Sequence, residues 1–411
     1  MLNRQQKLNR LVEFGVTISQ VADLDFLFEK ILTEARVLLN ADAGSIYLKD
    51  GPELIFSYTQ NDTLQERLPA GKKLIYTSFR LPINNNSIAG FVANNGSTVN
   101  IPDVYKLSGN LPFTHDSHFD ELAGYHTQSV LTIPMKTSQD EILGVLQLIN
   151  SKNDDGKVVP FNSEDEPLVK HFALYAANAM ERAQLTRTTI MRMIGMAELR
   201  DPKETGPHVN RVAAYAVELF ENYAKKHNYS QKQIDRQRDV LRLAAMLHDV
   251  CKVAISDTIL KKPARFTAEE FEIMKQHTVM GARLFGDSKS DFDVFSAQVA
   301  LNHHEHWDGT GYPGHVDVQT GKPLPDRKTA DGKAIPKRED EIPLFGRIVA
   351  IADVYDALSC KRVYKDAWSE EDVFNKISED RGTHFDPELV DIFFSLTDVF
   401  KAIAQKYPDP Q

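Results

Sequence analysis

Cysteine is nearly absent: 411 residues hold two, Cys251 and Cys360, both in the C-terminal half. Two such thiols make no disulfide framework, so a reducing, cytoplasmic setting is expected. Long apolar runs are lacking as well. No stretch approaches the ~20 apolar residues that span a bilayer, and the polar start Leu2-Asn3-Arg4-Gln5-Gln6-Lys7 leads into no apolar core of the signal type. No membrane partner is expected. Net positive charge is also missing. At a formal −10 the chain is a poor non-specific binder of nucleic acid or anionic lipid. A locally basic pocket for a small phosphorylated molecule is still compatible with that charge.

Ordinary apolar content over this length is too much for one core, since single cores stop growing near ~250–300 residues. Two domains with a helical connector are expected. Strand-like segments are confined to roughly the first 160 residues, and helical periodicity dominates afterwards. Leu8, Leu11, Val12, Phe14, Ile18 and Val21, then Phe26, Leu27, Ile31, Ala35 and Leu38, predict two helices separated near Asp23. Short β-rich runs follow at 45–49, 54–59, 99–101, 130–135 and 143–150, bounded by Gly, Asn and Pro, and predict an antiparallel sheet. Ser87–Ala93 reads as a short helix, and Tyr105–Tyr125 as a long loop of the kind that covers ligand pockets.

This order of elements, with Leu143-Gly144-Val145-Leu146-Gln147-Leu148-Ile149-Asn150 leading to Phe161 and a helix, resembles a GAF domain over residues 24 to 184. The resemblance implies an α/β sensory domain, an antiparallel sheet with flanking helices, that takes an unknown small ligand or a protein. Some cyclic-nucleotide-binding members carry Asn-Lys followed by Phe, three residues and Asp-Glu. Phe161, Asp165 and Glu166 fit that pattern, but Asn150-Ser151-Lys152 separates the first pair. Glu164, Asp165 and Glu166 also suit the first turn of a helix capped by Ser163, with Pro167 near its start, and that reading is favoured. His115, His118 and His126 are assigned no metal, because no acidic or cysteine partner completes a ligand spacing.

From Pro167 to Arg200, Leu168, Phe172, Tyr175 and Ala179 make a helical seam that Arg182 and Thr186 interrupt before Ile190 and Met193 resume it. A long linker helix with a polar break is expected. Two readings are open for it: pairing two protomers into a homodimer, or packing on its own domain.

The chemistry-bearing residues lie beyond Arg200. A Gly/Pro-rich loop brings Glu204 and His208 to a helix opening near Pro207. The apolar run Val240–Leu247 delivers His248-Asp249, with Lys252 one turn on. His277 follows a helix at 268–276, His303-His304 ends the apolar face of Phe295, Val299 and Ala300, and Asp353 and Asp356 sit in a helix at 344–358. Burying such groups is costly unless cations or hydrogen bonds compensate. Imidazole and carboxylate together suit Fe, Mn, Co or Zn, and a bridging carboxylate suits closely spaced ions.

The blocks His248-Asp249-Val250-Cys251-Lys252, His277-Thr278, His303-His304-Glu305, Asp308-Gly309-Thr310-Gly311-Tyr312-Pro313 and Asp353-Val354-Tyr355-Asp356, leading to Arg362-Val363-Tyr364-Lys365, resemble the HD-GYP subgroup of HD-domain phosphohydrolases. The likeness covers about residues 190 to 400. It implies an all-α helical bundle that hydrolyses cyclic di-GMP to linear pGpG and, in some members, onward to GMP. The implied metal ligands are His248, Asp249, His277, His303, His304 and Asp353, with Asp249 bridging, while Glu204 and His208 match positions that help hold a third ion. Two or three divalent ions, iron or manganese, are the expected cofactors.

His248, Asp249 and Lys252 are the expected catalytic set. Lys252, Gly311, Tyr312, Pro313, Arg362 and Lys365 are expected around the substrate, although a solvated helix end suits Arg362 and Lys365 almost equally. The expected organisation is an N-terminal helix at 1–23, a sensory domain at 24–166, a linker at 167–200, the phosphohydrolase domain at 201–400 and a tail at 401–411. Two features depart from the HD-GYP pattern: Cys251 replaces the usual glycine before Lys252, and residues 315 to 341 form an extra loop that suits a lid, a partner site or a tolerated insertion. Cys251 keeps a second reading open, a receptor that binds cyclic dinucleotide without turnover. A generic HD hydrolase of another nucleotide accounts less well for Gly311-Tyr312-Pro313.

Overall fold

The computed structural model describes residues 2–69, 78–107, 109, 111–115, 117, 120–121, 124–201, 205–286, 290–360 and 368–409. It divides into two compact units, Met1–Arg187 and Thr188–Gln411.

In the first unit, α1 (Arg4–Ile18) and α2 (Leu24–Leu39) are separated where the residue pattern predicts. Asp23 ends the gap by accepting the Phe26 amide at 2.9 Å, which caps α2. The strands β1 (Ala41–Asp50), β2 (Glu53–Asn61), β3 (Arg80–Pro82), β4 (Val99–Ile101), β5 (Val130–Lys136) and β6 (Ile142–Lys152) form one antiparallel sheet in the order β3-β2-β1-β6-β5-β4, and β7 (Val158–Val159) pairs with β6. β3 and β7, of three and two residues, are additions to the expected set of strands.

Successive side chains along a strand point to opposite faces. Ile46, Leu131, Leu146 and Leu148 therefore meet one helical layer, where Phe14 stacks on Phe172 at 4.0 Å, while Tyr47, Phe56 and Val145 meet Val92 of the short helix Ile88–Asn95. Gly144 allows a close β1–β6 approach, since a β-carbon there would lie 2.2 Å from the Tyr47 carbonyl oxygen. Tyr105 stacks on His126 at 4.7 Å and meets His115 edge-on, so these two loop histidines pack against an aromatic ring; His118 lies outside the described residues.

Two expectations for the connecting helix need correction. The cap is Asn162, whose side chain accepts the Glu164 amide at 3.0 Å, and Ser163–Asp165 form a single 3-10 turn before the helix Glu166–Glu198 begins. That helix is continuous for 33 residues, with no break at Arg182 or Thr186. Arg182 is satisfied without opening it, because the guanidinium reaches the carbonyls of Ile18 and Val21.

The second unit has only helices as regular elements among its described residues. For the site, the helices that matter are Gly206–Lys226, Gln231–Met246, Ala268–Leu284, Asp291–Asn302 and Leu344–Ser359. Their shared core contains Val212, Tyr215, Phe220, Leu241, Val299, Ile348 and Ile351. One crossing is unusually close: a β-carbon on Gly281 would lie 2.9 Å from that of Ala300. His277 sits one turn before Gly281 and His303 just after Ala300, so the close crossing brings the two imidazoles together. Among the described residues, no helix is long and apolar enough to cross a membrane.

Candidate metal centre

Three helix ends and two helix interiors converge. His208 lies in the first turn of Gly206–Lys226, which Thr205 caps, and His248 and Asp249 follow the end of Gln231–Met246. His303 and His304 follow Asp291–Asn302, and Asp353 projects from Leu344–Ser359. His277 is interior to Ala268–Leu284, against the expectation of a helix ending at residue 276, because the apolar face continues through Val279 and Ala282.

The possible ligand atoms fall into a quartet, Asp249, His277, His303 and His304, and a trio, His208, His248 and Asp353. Within each group they lie within 4.8 Å of one another. Asp249 joins the two. Its Oδ1 is 3.1 Å from His277 Nε2 and 3.3 Å from His303 Nε2, and its Oδ2 is 3.3 Å from His248 Nε2. In the trio, Asp353 Oδ1 is 3.6 Å from His208 Nε2 and 3.9 Å from His248 Nε2.

The other ring nitrogen of each imidazole explains this aim. His248 Nδ1 lies 2.8 Å from the Ala245 carbonyl and His277 Nδ1 2.7 Å from that of Met274, while His303 Nδ1 is 3.1 Å from the carbonyls of Val299 and Ala300. A carbonyl only accepts, so each Nδ1 carries the proton and each Nε2 turns a lone pair inward. His208 Nδ1 instead faces the Asp356 carboxylate at 2.8 Å.

These residues suit a divalent cation. His277 Nε2, His303 Nε2 and Asp249 Oδ1 are buried and make no hydrogen bond. Buried acceptors in that state cost stability, and lone pairs facing one another at 3.1–3.3 Å repel unless a positive charge lies among them. Burial holds His303 below its ordinary pKa and His304 well below it, which keeps both rings neutral. Burial alone would raise the Asp249 carboxyl, but Lys252 and His248 outweigh it and hold Asp249 well below the usual carboxylate range. Lys252 Nζ donates to Asp249 Oδ2, so in this state the ammonium faces the carboxylate.

Gly311-Tyr312-Pro313 forms a wall beside the quartet. Tyr312 stacks on His304 at 4.9 Å and donates its amide to the His304 carbonyl at 3.1 Å. Gly311 cannot carry a β-carbon, which would sit 2.2 Å from the His306 nitrogen. Glu305 has no part in either ligand group; it accepts the Gly314 amide at 2.6 Å and, being buried, is pushed up to about 7. The 315–341 loop carries two isolated bridges, Val316 to Pro323 and Lys328 to Ala334. Its return end is pinned to the ligand-bearing segment by Lys337 Nζ on Asn302 Oδ1 and the Glu339 amide on the Trp307 carbonyl. A pinned strap is a poor lid.

Glu204, Arg362 and Lys365 lie outside the described residues. Asp356 is a structural acceptor: Arg211 Nε and Nη2 donate to its two oxygens at 2.6 and 2.9 Å. Arg211 went unnoticed, although its position three residues after His208, on the same helical face, was a usable signal.

Cys251 sits inside the 3-10 turn Val250–Ala254 and does not have a positive φ. The glycine expected there is therefore not required by the backbone. Its β-carbon faces Gly281, and burial raises the thiol's pKa, away from reactive thiolate. Cys251→Gly is expected to cost about 1 kcal/mol through backbone freedom and to leave metal affinity unchanged, as read by thermal melting and calorimetry. A rise in affinity or turnover would show instead that the thiol restricts the pocket.

Residues 205–358 match the HD domain family and residues 23–180 the GAF domain family. The chain is 35% identical over 226 residues to 3'3'-cGAMP-specific phosphodiesterase 2 of Vibrio cholerae, covering 55% of this chain and 38% of that protein. It is 39% identical over 225 residues to a cyclic di-GMP phosphodiesterase of the same organism, covering 54% and 41%. A third Vibrio cholerae relative, named a probable cyclic di-GMP phosphodiesterase, is 30% identical over 327 residues, covering 78% and 66%. The chain thus spans about two fifths of the length of the first two relatives and about two thirds of the third.

Proposed function

This chain joins a GAF domain to an HD domain and is related to the HD-GYP phosphodiesterases; from that premise we propose that it hydrolyses a cyclic dinucleotide, cyclic di-GMP in the first instance, to the linear dinucleotide. The observation that carries this reading is the pair of ligand groups sharing Asp249. Divalent ions bound there, iron or manganese as the family resemblance implies, would polarise a phosphoryl oxygen and make a nearby water acidic near neutral pH.

The chain's own residues do the rest. Asp249, His277, His303 and His304 hold one position and His208, His248 and Asp353 the other, with neutral imidazoles fixed by their Nδ1 partners. Lys252 exchanges its contact with Asp249 for a non-bridging phosphate oxygen and neutralises charge there as the bond to the leaving oxygen breaks. Tyr312 closes one side of the site against His304. Arg362 and Lys365 receive the second phosphate, and the GAF domain regulates turnover in response to a small ligand or a protein, in a homodimer.

The name of one relative favours a second substrate, 3'3'-cGAMP. Incubating the anaerobically purified, metal-loaded chain with each nucleotide and separating the products by chromatography distinguishes them. Faster consumption of cyclic di-GMP is expected, with pGpG accumulating. A preference for 3'3'-cGAMP would move the assignment, and tight binding of both without cleavage would favour the receptor.

A further inference from the structure

The two ligand groups differ in how one imidazole, that of His208, is held, since His248 of the trio is oriented locally by the Ala245 carbonyl. In the quartet, the His277 and His303 rings are oriented by carbonyls three or four residues back in their own chain segments. Those contacts form whenever the local helix forms. In the trio, His208 is oriented by Asp356, 148 residues away in sequence, on the helix Leu344–Ser359.

Asp356 is in turn fixed from outside the site. It is 2% exposed, and Arg211 grips it with two parallel donors, Nε to Oδ1 at 2.6 Å and Nη2 to Oδ2 at 2.9 Å. Such a planar two-point contact sets the direction of the carboxylate as well as neutralising it. Arg211 is anchored at its remaining amine: Nη1 donates to the Tyr407 carbonyl at 2.8 Å and to Asp409 Oδ1 at 2.9 Å. Tyr407 and Asp409 follow the helix Thr397–Lys406. Arg242 reaches the Tyr407 hydroxyl at 3.3 Å and helps seat the segment.

We infer that the line from Tyr407 and Asp409 through Arg211 and Asp356 to His208 sets the metal affinity of the His208, His248 and Asp353 position separately from that of the Asp249 quartet. Arg211, Asp356 and Asp409 are positioning residues and contact no reacting atom. A carboxylate behind a metal-binding imidazole fixes the ring and raises its basicity, and losing such a partner typically weakens metal binding 10- to 100-fold. The quartet has no member on this line. Occupancy of the second position, and with it turnover, is therefore open to adjustment by whatever seats or lifts the segment around Asp409, while the first position stays filled. The inference rests on the two-position reading given above.

The test is stepwise cobalt(II) titration of the metal-stripped full chain, followed by calorimetry and by the visible absorption of the bound ion. His277→Ala and His208→Ala assign the steps. The wild type is expected to bind in two resolved steps, and Asp356→Asn to weaken the step assigned to the trio by about 10- to 100-fold while the quartet step stays within about twofold. Arg211→Lys and Asp409→Asn, which leave the Asp356 carboxylate in place, should weaken the same step less and shift its absorption bands. These two variants decide the matter if Asp356→Asn fails to fold. Equal weakening of both steps, or an unchanged trio step in Asp356→Asn, Arg211→Lys and Asp409→Asn alike, would overturn the inference with the two-position reading intact. A single step in the wild type would defeat that reading and this inference together.

Discussion

Asp249→Asn should abolish cyclic dinucleotide hydrolysis, with a fall in kcat of at least about 10³-fold, equivalent to about 4 kcal/mol of lost transition-state stabilisation. Among the described residues, Asp249 carries the carboxylate that reaches both ligand groups, through Oδ1 to His277 and His303 and through Oδ2 to His248. Asparagine preserves the shape but removes the negative charge that offsets two cations, and its amide nitrogen would present a donor where a ligand is needed. The variant also leaves Lys252 without the carboxylate it now faces, so the ammonium repels the ions it should work beside. Metal content measured on the same sample separates the possibilities. Loss of at least one ion together with turnover is expected, whereas a variant keeping both ions and a tenth of wild-type activity would remove Asp249 from the centre of the account.

The second large effect is thermal. Ligand that binds only the folded state stabilises it by RT ln(1 + [L]/Kd), about 4 kcal/mol at a thousandfold excess over Kd. A unit of this size moves by roughly 2–4 °C per kcal/mol. Stripping the ions should therefore lower the melting of the Thr188–Gln411 unit by roughly 8–16 °C, and the Met1–Arg187 unit should hardly respond. Refilling with manganese or iron should restore it. Two observations motivate the size of the effect: the lone pairs of His277, His303 and Asp249 are buried without hydrogen bonds, and burial keeps His303 and His304 neutral at the cost of solvation. If complete removal of metal, verified by elemental analysis, shifts neither transition by more than about 2 °C, these residues are stable without a cation.

The sequence marks two domains and a set of candidate ligands, for identifiable physical reasons. Helix starts near Asp23 and Pro207 are legible because capping residues and a first-turn proline are written in residue type. The grouping of His248, Asp249, His277, His303 and Asp353 as candidates is legible because histidines and carboxylates set among apolar helices need compensation. What stays hidden is tertiary. Nothing local reveals that Arg182 is satisfied by the carbonyls of Ile18 and Val21, so a polar break was expected where the helix continues. Residue type alone does not say that Gly281 and Ala300 form a close crossing that carries His277 through the middle of its helix. Nor does it show that Arg211 and Asp356 stand behind His208, since that pairing spans 145 residues. Asn162 caps its turn in place of Ser163 because neighbouring residues with equivalent side chains are not separable by composition.

The most direct test of the central claim is to count ions and turnovers in one preparation. Anaerobically purified protein, stripped and then titrated with manganese or iron, is assayed for cyclic di-GMP consumption as metal content rises. Activity is expected to stay near background while the first ion binds and to appear as the second position fills, with pGpG as product and none formed by His303→Ala. Protein that carries both ions, binds the nucleotide and leaves it uncleaved would contradict the account and identify the domain as a receptor.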